Sequence, residues 1–200
     1  MWNSATIMMI VEGTFATIYM TLVSTLMAYV IGLPAGVALV VTGKEGLKPN
    51  KAVNRILDVL VNVMRSIPFL ILLIPLTLAA APFIARLVES SLLEVDKGVI
   101  EAAQSMGAGI PTIVMKVMLL EARSSLLSGL AIALGTILGY SAMAGAVGGG
   151  GLGDIAIRYG YNRYQLDIMI VTVILLVALV QIMQAICMRL SRKLDKRITG

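Results

Sequence analysis

The sequence predicts an all-α protein, a polytopic helical bundle in a membrane, and three observations support this fold class. Hydrophobic residues make up 58% of the 200-residue chain and charged residues only 14%, whereas about 25% of the residues in a soluble domain are charged. The mean hydropathy is +0.94. Uncharged runs long enough to span a bilayer alternate with short segments that carry the basic residues. We expect one transmembrane domain over residues 1–200.

The spans are predicted from the uncharged runs, taken in chain order. The first run covers residues 15–41, and a second apolar stretch begins near Ile56. Residues 66–85 are again uncharged, and a charged, amphipathic region follows them. The last two spans are predicted at residues 124–147 and 168–188, with a Gly- and Tyr-rich segment between them.

The distribution of lysine and arginine indicates the orientation of these spans. The segment after residue 188 contains five basic residues, so we expect it in the cytoplasm, where positive charge accumulates. Counting backwards, the basic loop at residues 42–51 also lies inside only if two spans occupy the stretch between Arg55 and Glu94. This arrangement has five transmembrane helices, an external N-terminus and a cytoplasmic C-terminus.

The stretch of residues 66–94 is too short for this arrangement. Two complete spans need about 20 apolar residues each, and a return turn must join them. We therefore expect that residues of an external loop are missing near Ile74 and Pro75. A continuous backbone at this point would contradict that expectation.

The segment between the third and fourth spans is predicted to form a short amphipathic helix on the cytoplasmic side. Val99, Ala102, Ala103 and Met106 recur at three- and four-residue spacing, which places them on one helix face. Gly107 follows where a helix end needs a positive φ angle. A second helix is then predicted to start at a proline, Pro111, which suits the first helical position.

The same segment carries the most specific motif, EAAQSMG at residues 101–107 followed by VML at residues 117–119. It resembles the EAA loop of ABC importer permeases, in which Gly follows Glu-Ala-Ala after three residues and Ile-x-Leu-Pro follows nine residues later. The spacing matches through Leu119, but Leu120 stands where the family has proline. Wider similarity to the methionine-uptake permeases is carried by residues 65–69, 81–86, 139–148, 151–153 and 159–161.

The resemblance implies an importer assembly around a coupling helix that docks in a groove of a separate ATPase subunit. The docking residues it implies are Val99, Glu101, Ala102, Ala103, Ser105, Met106, Gly107 and Ala108. The implied assembly is a homodimer with two copies of an ABC ATPase and an extracytoplasmic methionine-binding lipoprotein. It imports L- and D-methionine across the cell inner membrane by alternating access. The alternative for this helix is an interfacial one that rests on lipid headgroups.

The resemblance also places five residues along the translocation path: Ser66, Pro68, Tyr140, Ser141 and Met143. Hydroxyl groups within a membrane segment tend to face protein or a water-filled path, so hydrogen bonding between helices is an alternative role for Tyr140 and Ser141. Methionine offers a soft, adaptable surface to a passing substrate.

Two ridges of small residues predict close helix packing. For Gly32 and Gly36 we favour packing within one chain. For Ala131, Gly135 and Gly139, packing within the chain and a position at a permease interface or pore are equally compatible with the pattern.

The segment at residues 148–164 is predicted to lie outside. Its tyrosines, Tyr159, Tyr161 and Tyr164, suit an interfacial aromatic belt. Docking of a substrate-binding protein that delivers cargo is the equally supported alternative.

The composition excludes several kinds of chemistry. The chain has no histidine and a single cysteine, Cys187, so we predict neither catalytic residues nor a metal site. No glycine-rich segment fits the phosphate-binding pattern G-x-x-x-x-G-K-[ST]. We therefore expect that the chain is not an enzyme, and that ATP and Mg²⁺ bind to the partner ATPase. The basic residues flank apolar runs, so nucleic acid is not an expected partner.

Two other function classes compete with an importer subunit. A secondary carrier or channel that works without ATP needs ionisable residues within its spans, and Asp58 and Asp167 are the candidates. Charge pairs that anchor span ends are also possible, Asp58 with Arg65 and Arg86 with Glu89. A membrane-embedded enzyme would need clustered reactive residues at membrane depth, which the sequence lacks.

Overall fold

The structure is a computed structural model that describes residues 3–66, 76–145 and 147–194. Its helices are, in chain order, α1 (Ser4–Thr42), α2 (Lys51–Ser66), α3 (Leu76–Leu93), α4 (Lys97–Ser105), α5 (Ile110–Ile113), α6 (Leu119–Glu121), α7 (Arg123–Gly145), α8 (Gly151–Ile155) and α9 (Leu166–Leu194). One π-helical turn, Val114–Met118, joins α5 to α6, and a second, Ala156–Tyr161, follows α8. The expected break near Ile74 and Pro75, and the path residue Pro68, lie outside the described residues.

Four of the described helices, α1, α3, α7 and α9, are long and apolar enough to cross a membrane. This confirms the predicted class of an all-helical membrane protein. α2 has only 16 residues and carries Lys51, Arg55, Asp58 and Arg65, so it is both shorter and more charged than those four.

α1 is 39 residues long, which gives it a length of about 58 Å at 1.5 Å per residue. Asn3 caps its start by accepting a hydrogen bond from the Thr6 amide at 2.8 Å. A stripe of mostly small and hydroxyl-bearing residues along α1 is buried: Ile10, Gly13, Thr17, Thr21, Thr25, Ala28, Gly32, Gly36 and Leu39. Each buried threonine hydroxyl donates to the carbonyl four residues earlier, so these polar groups are satisfied inside the bundle.

α1 and α3 pack closely and run in the same direction. A Cβ atom on Gly32 would lie 2.8 Å from the carbonyl oxygen of Ala81, and one on Gly36 would lie 2.6 Å from that of Ala85. From the first contact to the second, the residue number rises by four in both helices, which shows that α1 and α3 are parallel. Glycine is needed at both positions because any side chain would collide with the α3 backbone. The Gly32 and Gly36 ridge therefore packs within the chain, as we predicted.

α2 folds back along this pair and turns its polar face inward. The Asn54 side chain donates to a backbone carbonyl near the end of α1 at 2.8 Å. Arg86 of α3 forms ion pairs with Asp58 of α2 and, at 2.6 Å, with Glu89, and it also donates to the Asn62 side chain at 2.9 Å. Opposite charges within a membrane protein are tolerated when they pair in this way.

This network differs in part from the predicted charge pairs. The pair of Arg86 and Glu89 is confirmed, but the pair of Arg65 and Asp58 is wrong because Asp58 contacts Arg86. Arg65 is two helical turns from Asp58, about 10 Å along the axis, whereas Arg86 reaches it directly from the neighbouring helix.

α7 and α9 pack antiparallel. Ala131 and Leu134 of α7 form a small core cluster with Cys187 of α9, and a Cβ atom on Gly135 would lie 2.4 Å from the Gln184 amide nitrogen. A Cβ atom on Gly139, by contrast, would meet no atom within 4 Å. The second ridge of small residues is therefore divided, with Ala131 and Gly135 packed within the chain and Gly139 facing open space.

Candidate functional site

The helix α4 begins and ends with well-formed caps. At its start, the Asp96 carboxylate accepts a hydrogen bond from the Gly98 amide at 2.7 Å, which stabilises a first helical turn. At its end, Gly107 has a φ angle of +78°, as the sequence predicted. The Ala108 amide donates to the Ala103 carbonyl at 3.1 Å and the Gly107 amide to the Gln104 carbonyl at 2.9 Å. This pair of bonds is a Schellman turn, which fixes where the helix stops.

α4 presents one exposed face and one buried face. Val99 is 43% exposed and Met106 82% exposed, and further docking candidates are also exposed: Glu101, Ala102, Ser105 and Gly107. Ala103 is only 5% exposed and belongs to the main hydrophobic core. The four predicted positions lie within about 100° of one another around the helix, so they share one side of α4, but Ala103 at the edge of that side is buried against the core.

Ala103 and Ala108 support the exposed face from behind. Ala108 is half-buried and packs against the core cluster that contains Ala103, Ile113 and Met118. The Ser105 hydroxyl donates to the Glu101 carbonyl at 2.9 Å, so it is engaged within the helix. The buried side of α4 therefore packs on α5 and the π-helical turn, and through them joins the core that α1 and α3 share.

The helix after the Gly107 turn differs slightly from the prediction. α5 begins at Ile110, so Pro111 occupies its second position rather than its first; the amide that proline lacks is unbonded at either position. The family proline is replaced by Leu120, and the helix accordingly continues through it to Glu121 before turning at Ala122.

A cavity of about 540 Å³ lies between α4, the ends of α1 and α3, and the loop at residues 43–50. Lys97 of α4 forms an exposed ion pair with Glu45 of this loop. Hydrogen bonding to the Lys97 ammonium lowers the pKa of Glu45, and the Glu45 carboxylate raises the pKa of Lys97. Both groups are therefore charged at any pH between the ordinary pKa of a carboxylate and that of an ammonium. This range includes all physiological pH values.

One face in the C-terminal half of α7 is largely exposed. It consists of Ile132, Thr136, Gly139 and Met143, spaced four, three and four residues apart, and we call it the α7 open face. Met143 is 57% exposed, and Tyr140 beside it is half-buried. A Cβ atom on Gly139 of this face would meet no atom within 4 Å. This leaves space for another molecule to approach the helix backbone.

Two other predicted path residues lie elsewhere. Ser141 is 2% exposed, and its hydroxyl donates to the Leu138 carbonyl at 2.8 Å. It lies on the opposite side of α7 from Met143, because two helical positions differ by about 200°. The structure therefore does not bring Ser141 and Met143 to one surface. Ser66 is exposed at the end of α2 and donates to the Asn62 carbonyl at 2.8 Å.

Comparison with known proteins identifies the family. The family described as "Binding-protein-dependent transport system inner membrane component" matches residues 28–200. The chain belongs to this family. As such a transport component, it is a multi-pass membrane protein, and the matched range contains helix α4 and the α7 open face.

Similar transport components are found in several bacteria. The chain is 45% identical over 217 aligned positions to the probable D-methionine transport system permease protein MetI of Vibrio cholerae, covering 98% of this chain and 96% of that relative. It is 42% identical to the methionine import system permease protein MetP of Bacillus subtilis, with 93% of each covered. A solved structure of the MetNI methionine ABC transporter in inward-facing conformations aligns with a TM-score of 0.95 at 41% identity, covering 98% of this chain and 100% of that one.

Sequence reasoning missed two polar clusters of this transport component. One is the part of the Arg86 network that reaches Asp58, 28 positions away in the sequence. The other is a serine clasp, in which Ser124 and Ser128 of α7 hydrogen-bond to Ser191 of α9. The signal for the first was the polar stripe of α2 at three- and four-residue spacing. Among the described residues, no group of three or more His, Cys, Asp or Glu could hold a metal ion.

Proposed function

We propose that the chain is the permease subunit of an ATP-driven ABC importer for methionine, with both L- and D-methionine as substrates. The observation that carries the proposal is the exposed, capped helix α4 within a fold that matches the MetNI transporter at a TM-score of 0.95. The names of the relatives, which describe methionine permeases, support the substrate. In this function the chain binds no cofactor of its own, and ATP with Mg²⁺ binds to the partner ATPase.

The exposed face of α4 docks with the ATPase, and two ATPase copies serve two permease copies. Met106 and Val99 provide an apolar contact, and Glu101 provides a charge at the edge. Docking is supported by their exposure in a short helix that is held at both ends by caps. Because Ala103 anchors the helix to the core, closure of the ATPase moves α4 together with α1 and α3 as a rigid unit.

Substrate crosses between two copies of the chain, along the α7 open face. The exposure of Met143 and Gly139 supports this placement, since an importer permease that functions as a homodimer must expose its path on one side of each protomer. Tyr140 contributes a hydroxyl beside this face. Ser141 stabilises α7 from within the protomer, and Ser66 lies at the outer end of α2.

Five spans, an external N-terminus and a cytoplasmic C-terminus form the proposed topology. Two parallel helices such as α1 and α3 require a segment that returns across the bilayer between them, and α2 is the described helix at that place. Its 16 residues rise about 24 Å. Its outer face carries exposed apolar side chains suited to lipid: Val53, Ile56, Val59, Leu60 and Val63.

We further propose that residues of the external loop near Ile74 and Pro75 are missing from this sequence. Because Gly32 lies beside Ala81, the N-terminal part of α1 extends roughly 30 Å beyond the start of α3. The alignment with the Vibrio cholerae relative spans 217 positions, more than the 200 residues of the chain. An intact mass of the natural protein above 21.2 kDa is the expected result, and a mass equal to it would contradict the proposal.

The external surface around α8 is where an extracytoplasmic methionine-binding lipoprotein would dock. Tyr161 and Tyr164 are 69% and 88% exposed there, and Arg163 stacks over the Tyr159 ring at 4.6 Å. Exposed tyrosines with a neighbouring arginine are typical of protein interfaces. The cavity at this end, about 450 Å³, lies between the start of α1 and the start of α9.

An ATP-independent secondary carrier is the second candidate. It would need a free ionisable group within the spans. Asp58 is already paired with Arg86, which disfavours it as a proton or ion site, and Asp167 lies in the first turn of α9, at the end of the span. These contacts favour the ATP-driven importer.

Uptake of labelled methionine into proteoliposomes tests the function. The vesicles would hold this protein, its cognate ATPase and internal ATP, with the binding protein supplied outside. We expect uptake that stops when the ATPase is omitted. ATP hydrolysis without methionine uptake would keep the importer class and discard the substrate, and uptake independent of ATP would favour the secondary carrier.

A further inference from the structure

The cytoplasmic end of α9 carries a shallow, open groove between side chains of this one helix, with apolar residues inside it and basic residues at its rim. Its volume is about 360 Å³, and it is lined by Ile186, Arg189, Leu190, Arg192 and Lys193. Three cations therefore lie within five consecutive positions at the end of a helix that is long and apolar enough to cross the membrane. Neither the transport path nor the ATPase-docking face uses any of these residues.

The serine clasp fixes which side of α9 the groove faces. The buried Ser191 hydroxyl donates to the Ser124 carbonyl at 2.8 Å and lies 3.0 Å from the Ser128 hydroxyl. One turn earlier, Cys187 is buried against α7. Because these residues face the bundle, the side that bears Ile186 and Arg189 must face away from it.

The three cations are free to bind an anion. Arg189, Arg192 and Lys193 are exposed, and the ion pairs among the described residues all involve other cations, at positions 86, 97 and 158. Basic residues at the cytoplasmic end of a membrane helix attract anionic lipid headgroups, each by roughly a fivefold gain in binding.

An apolar stripe leads from the groove towards the membrane interior. Exposed apolar residues recur along this side of α9 at four-residue spacing: Ile182, Ile186 and Leu190. A lipid whose headgroup contacts the basic rim could therefore lay an acyl chain along the stripe. A free phosphate ion would use the rim alone and would gain nothing from these residues.

We propose that this groove binds the anionic headgroup of a phospholipid in the cytoplasmic leaflet, with an acyl chain along the apolar stripe. The proposal rests on the cytoplasmic position of the C-terminus within the proposed function. It is independent of the substrate and of the ATPase, so it can fail while the transport function holds, and the reverse is also true.

Lipid retention by the purified full chain tests this proposal. The protein would be reconstituted in vesicles of equal parts phosphatidylglycerol and phosphatidylcholine, extracted in mild detergent, and its bound lipids quantified by mass spectrometry. We expect enrichment of phosphatidylglycerol in the wild type. The variant R189Q/R192Q/K193Q should lose at least about fivefold of that enrichment, and Ile186→Gln should lower total retention while the charges remain.

Matched controls separate a specific site from a general effect of charge. K44Q/K48Q/K51Q removes the same charge from the exposed loop at the same side of the membrane and should retain the enrichment. The charge-conserving variant R189K/R192K/K193R should also retain it, which would show that the neutral variant fails through charge rather than folding. Equal loss in both neutral variants, unchanged enrichment in R189Q/R192Q/K193Q, or displacement of the lipid by inorganic phosphate would each overturn the proposal.

Discussion

Gly107 is the residue on which the shape of the turn after α4 depends. Its φ angle of +78° lies in the left-handed region, which costs an L-residue with a side chain about 1–2 kcal/mol. A Cβ atom there would meet nothing within 4 Å. Any effect of a substitution must therefore come from the backbone, and not from a collision.

Replacing Gly107 with valine should uncouple transport from ATP hydrolysis. The substituted turn would leave the left-handed region and re-aim α4, so we expect normal membrane insertion, retained ATPase activity of the complex and strongly reduced methionine uptake. Gly109→Val is the matched control, because Gly109 has an extended backbone, with φ −72° and ψ 158°, that valine tolerates. Full uptake by Gly107→Val, or equal losses in both variants, would count against the lever mechanism.

Arg86 is the residue with the most polar partners between α2 and α3. Its replacement by glutamine leaves the carboxylates of Asp58 and Glu89 without their cation in a half-buried position. We expect a loss of about 2–3 kcal/mol in stability, measured as a lower melting temperature in detergent. Arg55→Gln, at an exposed position of α2, should change stability by less than about 0.5 kcal/mol. Similar effects in the two variants would show that the network is dispensable.

At the scale of elements, the contact of α1 with α3 depends on the absence of side chains. Gly36→Ala places a methyl group 2.6 Å from the Ala85 carbonyl oxygen, so the two helices must separate. We expect a loss of about 1–3 kcal/mol, seen as a lower melting temperature. Gly139→Ala introduces the same methyl group where no atom lies within 4 Å and should leave stability nearly unchanged. The parallel contact would be in doubt if both variants melted alike.

Features set by nearby residues could be predicted from the sequence. The turn at Gly107, the helix before it and the pair of Arg86 with Glu89 each involve residues within a few positions of one another. Features set by contacts between helices could not. The inward orientation of Ala103 depends on how α4 sits against Ile113 and Met118, and the partner of Asp58 lies 28 residues away. The sequence therefore predicted the exposed patch of Val99, Ala102 and Met106. It did not predict that Ala103, at the edge of this patch, is buried in the core.

At the scale of the whole molecule, the topology can be tested by labelling single cysteines in intact cells. In a Cys187→Ala background, Tyr164→Cys should react with a membrane-impermeant maleimide from outside, because Tyr164 is 88% exposed and lies on the side proposed to be external. Lys48→Cys should react only after the membrane is permeabilised. Labelling of Lys48→Cys in intact cells would contradict the five-span topology and the orientation together.

The proposed homodimer can be tested by cross-linking across the α7 open face. In the same background, Met143→Cys should form a disulfide between two protomers under mild oxidation, because we propose that two copies of this face meet around the path. Ile174→Cys on α9, which is 60% exposed but is proposed to face lipid, is the matched control. Cross-linking of Ile174→Cys alone would place the interface on the other side of the molecule.

The inward polar face of α2 has a consequence for how the protein is made. Asp58, near the middle of α2, opposes entry into a bilayer, by roughly 2.5–3.5 kcal/mol near its centre, and the cation that neutralises it is synthesised 28 residues later. We therefore expect that α2 is retained at the insertion machinery until α3 emerges and that the two helices enter the lipid together. Arg86 of α3 would then be needed during biosynthesis for the insertion of α2.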